Sequence, residues 1–70
     1  MKKYLVIFEK TETGFSAYVP DLPGCIAATQ TKLETKKLIY EAIQFHLEGI
    51  ILDGLTIPEN RSESELMVFV

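Results

Sequence analysis

The sequence predicts one α+β domain over residues 1–70, with the element order β-β-β-α-β. Two observations lead to this prediction. Short apolar segments typical of strands occur before residue 30 and after residue 64, and a capped segment with helical periodicity lies between them. Short turns separate the first three strands, so we expect an antiparallel three-stranded meander with one helix packed on it.

The first two strands are predicted at residues 3–9 and 14–19. The first, KYLVIFE, is apolar on both faces, which favours a central position in the sheet. A polar turn ending at Gly14 joins it to the second. In the second strand, apolar residues alternate with Ser16 and Tyr18, so one face should meet the core while the other is partly exposed.

A rigid corner is predicted after the second strand. Pro20 has no N–H to donate and is confined to an edge or a strand end. The segment LPGC at residues 22–25 has the pattern of a type II turn, and a third strand is expected at residues 25–29. Because prolines leave this corner little conformational entropy to lose, it is suited to binding a partner.

A helix is predicted from about Lys32 to Leu52. Thr31 and Glu34 have the spacing of a capping box, and the Asp-Gly pair at 53–54 is a stop signal. A helical projection places seven residues on one broad face, which we expect to pack on the sheet. These residues are Leu38, Ile39, Ala42, Phe45, His46, Gly49 and Ile50.

Two further lines of residues run along the predicted helix. Glu34, Glu41 and Glu48 form an acidic flank, which is expected to be solvated. The other line is apolar and lies nearly opposite the core face, which indicates an oligomer interface. Its residues are Tyr40, Leu47 and Ile51.

The last part of the chain is predicted to be a loop and a strand. Residues 55–64 have no regular pattern, whereas residues 65–70 end in LMVFV, which is apolar on both faces. We expect this last strand to lie inside the sheet beside the first. After a helical crossover the two strands would be parallel.

The composition limits the classes of function. The chain has seven Lys and Arg, ten Asp and Glu, and a net charge of −3, with its basic residues dispersed. This argues against binding to duplex nucleic acid and favours a basic protein partner. One cysteine excludes an internal disulfide, and the apolar run at residues 4–8 is shorter than a signal sequence or a membrane span requires. We expect a cytoplasmic protein.

Residues that could perform chemistry are few. His46 lies on the predicted core face, and Cys25 is followed by small apolar residues, so both are expected to be structural. The four glycines are too dispersed for a phosphate loop. The carboxylates are not arranged as a two-metal site requires, and no catalytic residue, metal or cofactor is predicted. A residual metal-dependent nuclease is the less favoured alternative.

Three segments occur together in a characteristic order: GFSAYVPDLPGCIA at 14–27, EAIQFHLEGIILDG at 41–54, and IPE at 57–59. In this combination the chain resembles the HicB antitoxin family over residues 1–60. The resemblance implies a pared-down ribonuclease H-like fold and a small, basic HicA-type toxin as partner, which cleaves RNA. It also implies a homo-oligomer, either a dimer or a tetramer. Because no DNA-binding segment precedes Val70, direct binding to nucleic acid is not expected.

The partner-binding surface is predicted from rigidity, exposure and charge to include the second strand and the corner. The residues assigned to it are Ser16, Tyr18, Pro20, Asp21, Leu22 and Pro23. In the main alternative, the chain is an orphan oligomeric scaffold without a toxin. Such a scaffold would associate only with itself, through Tyr40, Leu47 and Ile51.

Overall fold

The computed structural model describes residues 2–70 and shows three strands followed by one helix. The strands are β1 (Ile7–Lys10), β2 (Phe15–Tyr18) and β3 (Ile26–Thr29), and the helix is α1 (Lys32–Leu52). Both strand pairs are antiparallel, in the order β1-β2-β3. The predicted meander and the predicted bounds of the helix are confirmed. The likeness to the ribonuclease H fold stays a prediction.

The first strand is shorter than predicted and lies at an edge. It begins at Ile7, opposite Tyr18 at the end of β2, and the central strand of the described sheet is β2. The same register places Leu5 opposite Pro20, which has no N–H to extend the pairing. The Leu5 N–H instead donates to Asn60 Oδ1 at 2.9 Å. The prediction of a central first strand over residues 3–9 was therefore wrong.

The corner between β2 and β3 is formed by two successive tight turns. The Leu22 N–H donates to the Val19 carbonyl, and the Cys25 N–H donates to the Leu22 carbonyl, each at 3.1 Å. Gly24 has a φ of 85°, which is the positive value that the third position of a type II turn requires. The predicted turn is confirmed.

The start of α1 is fixed by its cap. The Glu34 N–H donates to the Thr31 hydroxyl at 3.1 Å, and that hydroxyl donates to Glu34 Oε1 at 2.9 Å. The side chain of Glu34 thus reaches back to the capping hydroxyl, whereas in a full capping box it would reach the backbone N–H. This arrangement satisfies one of the N–H groups of the first helical turn, which have no partner within the helix.

The core lies between α1 and the sheet, and a buried threonine sets the rotation of the helix. Thr35 is completely buried, and its hydroxyl lies 2.6 Å from the Thr29 hydroxyl, 2.9 Å from the Thr31 carbonyl and 3.3 Å from the Phe15 carbonyl. These contacts turn the helix so that the face containing Thr35 and Ile39 meets the sheet. The buried cluster consists of Ala17, Val19, Leu22, Cys25, Ala27 and Ile39.

The predicted core face of the helix is only partly correct. Ile39 is buried and Ala42 packs against the core, but Leu38 is 44% exposed and Phe45 is 79% exposed. Gly49 is also exposed. In their place, Ile43 and Leu47 pack against the buried cluster. The difference is a rotation of the helix about its axis, which follows from the buried position of Thr35.

The segment after the helix does not form the predicted strand. Residues 55–70 have no strand pairing in the structure, and Leu66–Val70 is exposed along its whole length. The radius of gyration, 13.6 Å, exceeds the value of about 11 Å expected for a compact chain of this length. Within residues 2–70, no helix is both long enough and apolar enough to cross a bilayer.

Candidate functional site

One face of the sheet is not covered by the helix. The pairing register places Ile7 beside Tyr18 and Tyr18 beside Ile26, with their side chains on the same face. The residues of this open sheet face are Ile7, Glu9, Ser16, Tyr18, Ile26 and Ala28. Their neighbours along the strands, such as Ala17 and Ala27, are buried on the opposite face under α1.

The open sheet face is mainly apolar and accessible. Ile26 is 71% exposed and Tyr18 is 38% exposed, while Ile7 and Ser16 are half-buried. An apolar patch on a rigid sheet is typical of a surface that binds another protein. Ser16 and Tyr18, two residues of the predicted partner-binding surface, lie on this face.

The corner residues of the predicted surface divide into accessible and inaccessible ones. Pro23 is exposed, and Pro20 and Asp21 are half-buried. Leu22, in contrast, is completely buried in the core cluster. Its assignment to the partner-binding surface was wrong, because both tight turns direct this side chain inward. Leu22 holds the corner in place and cannot contact a partner.

Asp21 is occupied by contacts within the chain. One of its carboxylate oxygens accepts hydrogen bonds from the backbone N–H of Ser62 at 2.9 Å and of Arg61 at 3.0 Å. These contacts hold the pKa of Asp21 below its usual value of 3.8, with the Ser62 N–H as the largest cause and desolvation acting in the opposite direction. Asp21 therefore fastens the C-terminal segment to the corner.

We expect the docking of the C-terminal segment at Asp21 to depend on pH. The pKa of Asp21 is lowered in the folded chain, so the carboxylate stabilises docking above pH ~4 and this contribution is lost as the pH falls through the lowered pKa. The amide proton shifts of Arg61 and Ser62, followed by NMR from pH 7 to 2, should titrate together at that point.

An asparagine at position 21 should abolish this titration. In Asp21→Asn, the Arg61 and Ser62 amide shifts are expected to become independent of pH below 5, because the neutral amide does not ionise. Asp53→Asn, an exposed position after the helix, is the matched control and should leave the titration unchanged. An unaltered titration in Asp21→Asn would show that another group controls the docking.

The side chains that could take part in a reaction are not assembled into a reaction centre in the described part of the chain. Cys25 is a free, buried thiol whose pKa is raised by desolvation, which disfavours the reactive thiolate. His46 is half-buried on the helix. Among residues 2–70, no group of three or more His, Cys, Asp or Glu side chains is placed to hold a metal ion.

The outer apolar line of the helix is smaller than predicted. Tyr40 is 63% exposed and Ile51 is 60% exposed, but Leu47 is half-buried and packs against the core. The placement of Leu47 opposite the core face was wrong, because of the same rotation of α1. The role of Tyr40 and Ile51 in an oligomer interface stays a prediction. The acidic flank of Glu34, Glu41 and Glu48 is exposed along the helix.

Sequence reasoning missed Ile7 and Ile26 as members of the open sheet face. The alternation of β2 already placed Ser16 and Tyr18 on the outer face. Applying the same antiparallel register to the neighbouring strands would have added both isoleucines. The antiparallel pairing of the predicted strands was therefore the observation that could have identified Ile7 and Ile26.

The chain is similar to several known proteins. Residues 4–68 match the family described as "HicB_like antitoxin of bacterial toxin-antitoxin system". A UPF0150 protein of Thermoplasma acidophilum is 39% identical over 87% of this chain and 90% of its own length. An uncharacterized 14.9 kDa protein of Haemophilus phage HP1 is 39% identical over 81% of this chain, which spans only 43% of that longer protein.

The fold also matches a solved structure. A chain of the HicA3 and HicB3 toxin-antitoxin complex superposes with a TM-score of 0.69 and 32% sequence identity. The match covers 86% of this chain and 70% of that chain. Together with the family match over residues 4–68, this likeness extends to the strands, the corner and the helix. The chain therefore belongs to the HicB-like antitoxin family of bacterial toxin-antitoxin systems.

Proposed function

We propose that this chain is the antitoxin of a toxin-antitoxin pair, and that it inhibits a small basic HicA-type toxin by covering the site at which the toxin cleaves RNA. The observation that carries this proposal is the match, in both fold and sequence, to a chain of the HicA3 and HicB3 complex. Such an antitoxin acts by binding and needs no catalysis of its own. Its place of action would be the cytoplasm, where the toxin meets RNA.

The open sheet face and the exposed part of the corner are the proposed toxin-binding surface. Tyr18 supplies an aromatic ring on a rigid strand, and aromatic residues are enriched among those that dominate binding energy. Ile26 extends the apolar area beside it. Pro20 and Pro23 flank this area with a backbone held by two turns, which reduces the entropy lost on binding.

Charge favours a basic partner. The net charge of the chain is −3, and Glu9 is paired with Ser16 at the border of the open sheet face. Opposite charges at the rim of an interface accelerate association more than they strengthen the final complex. The association rate with the toxin is therefore expected to fall as salt is added, with a smaller change in the dissociation rate.

Two tyrosine substitutions test the proposed surface. Tyr18→Ala removes the aromatic side chain from the open sheet face, and Tyr40→Ala removes the same group from the exposed side of α1. We expect Tyr18→Ala to weaken binding of the HicA-type toxin at least tenfold, which corresponds to about 1.4 kcal/mol. Tyr40→Ala should change the affinity less than twofold. Titration calorimetry and inhibition of RNA cleavage by the toxin measure both effects.

The same assay separates the alternatives. The exposed Tyr40 and Ile51 favour an orphan scaffold as second candidate, and in that case neither tyrosine matters because no toxin binds. Equal losses of toxin affinity in both variants would instead show that the toxin-binding surface is not confined to the open sheet face. The control without toxin contains this chain and Mg²⁺ alone. If RNA is cleaved in that control and chelation of the metal stops the cleavage, the nuclease alternative is supported.

A further inference from the structure

A short strap after the helix is held against two separate parts of the domain. Residues 58–62 form this strap, and one end of it contacts the residues that precede β1. There the Tyr4 hydroxyl donates to the Pro58 carbonyl, and the Leu5 N–H donates to Asn60 Oδ1 at 2.9 Å. The other end of the strap meets the corner after β2, beside the proposed toxin-binding surface.

Asp21 is the residue at which the strap meets the corner. It is the only charged residue between Pro20 and Cys25, and one oxygen of its carboxylate accepts the backbone N–H groups of both Arg61 and Ser62. The positive charge of Arg61 also acts on this carboxylate. With the strap docked, the one acidic group of the corner is therefore already engaged and partly neutralised.

The strap is held by few contacts, so it can open without unfolding the domain. Its contacts are hydrogen bonds that are exposed or only partly buried, and none of its residues belongs to the buried core cluster. Such hydrogen bonds contribute little net free energy, because water replaces them when they break. Segments with few buried apolar contacts are the ones that open locally. We therefore expect an equilibrium between a docked and an open strap.

A basic partner and the strap compete for the same carboxylate. An arginine binds a carboxylate through two parallel N–H groups, one to each oxygen, and thus requires both oxygens. The strap already occupies one oxygen of Asp21 with two donors. A guanidinium group brings a full positive charge as well as its hydrogen bonds, whereas a backbone N–H group brings only a dipole. A cation that reaches Asp21 therefore displaces the strap.

We propose that the strap inhibits toxin binding by occupying Asp21, and that a cationic side chain of the toxin binds Asp21 only when the strap is open. This inference rests on the proposed function, because the partner it requires is the basic toxin. The strap reduces the apparent affinity of every partner by the fraction of chains in which it is docked. Only a partner that also gains contacts on the open sheet face outweighs this cost, so the strap favours the correct toxin over other basic proteins.

A proline substitution opens the strap and tests the inhibition. Ser62→Pro removes one of the two N–H groups that bind Asp21 and leaves the net charge unchanged. Ser64→Pro, at an exposed position outside the strap, is the matched control. We expect Ser62→Pro to bind the HicA-type toxin about threefold more tightly than the wild type, or better, and Ser64→Pro to differ by less than about 1.5-fold.

Titration calorimetry with the purified toxin measures these affinities, and circular dichroism checks that the helix is intact in both variants. Equal or weaker binding by a folded Ser62→Pro chain would overturn the proposal.

Asp21→Asn identifies the group through which the strap acts. Asparagine keeps the size of the side chain but not its charge, so the toxin gains no ion pair when the strap opens. We expect the double variant Asp21→Asn/Ser62→Pro to bind the toxin within about 1.5-fold of Asp21→Asn alone. If Ser62→Pro still strengthens binding in the Asp21→Asn background, the strap does not act by occupying the carboxylate and the proposal fails.

Hydrogen exchange in the complex reports the position of the strap without any substitution. When the wild-type chain is saturated with toxin, the amides of Arg61 and Ser62 should exchange at least about tenfold faster, because they lose their acceptor. The Glu34 amide, which donates to the helix cap, is the control and should not change. Slow exchange that is retained at Arg61 and Ser62 in the complex would show that the strap stays docked, and would overturn the proposal.

These measurements distinguish failure of the strap from failure of the antitoxin role. A toxin that binds neither the wild type nor Ser62→Pro would contradict the antitoxin role, and the inhibition by the strap with it. A toxin that binds the wild type and depends on Tyr18, but binds Ser62→Pro no more tightly, would contradict the inhibition alone.

Discussion

Leu22→Ala is expected to lower the free energy of unfolding by about 2–5 kcal/mol. Leu22 is completely buried, and truncating a buried leucine both removes apolar contact and leaves a cavity. It belongs to the same core cluster as Val19 and Cys25, which lie at the two ends of the corner. The neighbouring side chains are fixed by strand pairing and by two turns, so they cannot move far to fill the space.

This loss is large for a chain of 70 residues. A domain of this size has a total stability of about 4–10 kcal/mol, so the variant is expected to lose at least about a fifth of the stability of the fold. Urea unfolding followed by circular dichroism measures the change. It must be done at one fixed protein concentration, because any self-association adds to the apparent stability.

Leu55→Ala is the matched control for Leu22→Ala. Leu55 is 63% exposed just after the helix, and we expect its truncation to change the stability by less than about 0.5 kcal/mol. If Leu22→Ala and Leu55→Ala have similar effects, then the corner is not anchored in the core. The rigidity on which the proposed toxin-binding surface depends would then be absent.

The parts of the fold governed by local chemistry were predictable. The cap at Thr31 and the Asp-Gly pair at 53–54 correctly bounded the helix. Pro23 and Gly24 correctly identified a type II turn, since few other residues suit its second and third positions. In each case the decisive residues lie within four positions of one another, so no knowledge of distant contacts was needed.

The wrong predictions concern residues whose position depends on contacts with distant parts of the chain. Hydrophobic periodicity assigned Leu38 and Phe45 to the core, but the hydroxyl of Thr35 bonds to strands β2 and β3 and rotates the helix toward itself. A hydrophobic pattern takes no account of a polar residue such as Thr35, so it could not predict this rotation. Leu22 was placed on the surface because the prolines beside it indicated an exposed turn, yet its side chain fills the core.

The proposed binding site was predictable only in part. Ser16 and Tyr18 were assigned correctly to the outer face, because alternation along one strand fixes the side of each residue. The involvement of Asp21 with Arg61 and Ser62 was not foreseeable, since 40 and 41 residues separate the partners. The strand expected at residues 65–70 does not form in the structure, where Leu66–Val70 is exposed.

Gly14→Ala is expected to destabilise the fold by about 3 kcal/mol, because its backbone lies against the junction of β3 and α1. A Cβ atom at Gly14 would overlap the Thr29 carbonyl oxygen and lie 2.6 Å from the Gln30 Cα. These are backbone atoms, so relief requires displacing the segment that leads into the helix cap at Thr31. The expected result is a lower urea midpoint and weaker protection of the Glu34 amide, which donates to that cap.

Gly49→Ala is the same substitution at a different position, and it should raise the free energy of unfolding, whereas Gly14→Ala lowers it. Gly49 lies inside α1, and a Cβ atom there would meet no atom within 4 Å outside the neighbouring backbone. Alanine favours the helix over glycine by up to about 1 kcal/mol, so this variant should be more stable than the wild type. If both variants lost a similar amount of stability, the packing described for the two positions would be contradicted. A loss in Gly14→Ala together with a gain in Gly49→Ala would show that the junction at Gly14 tolerates no side chain.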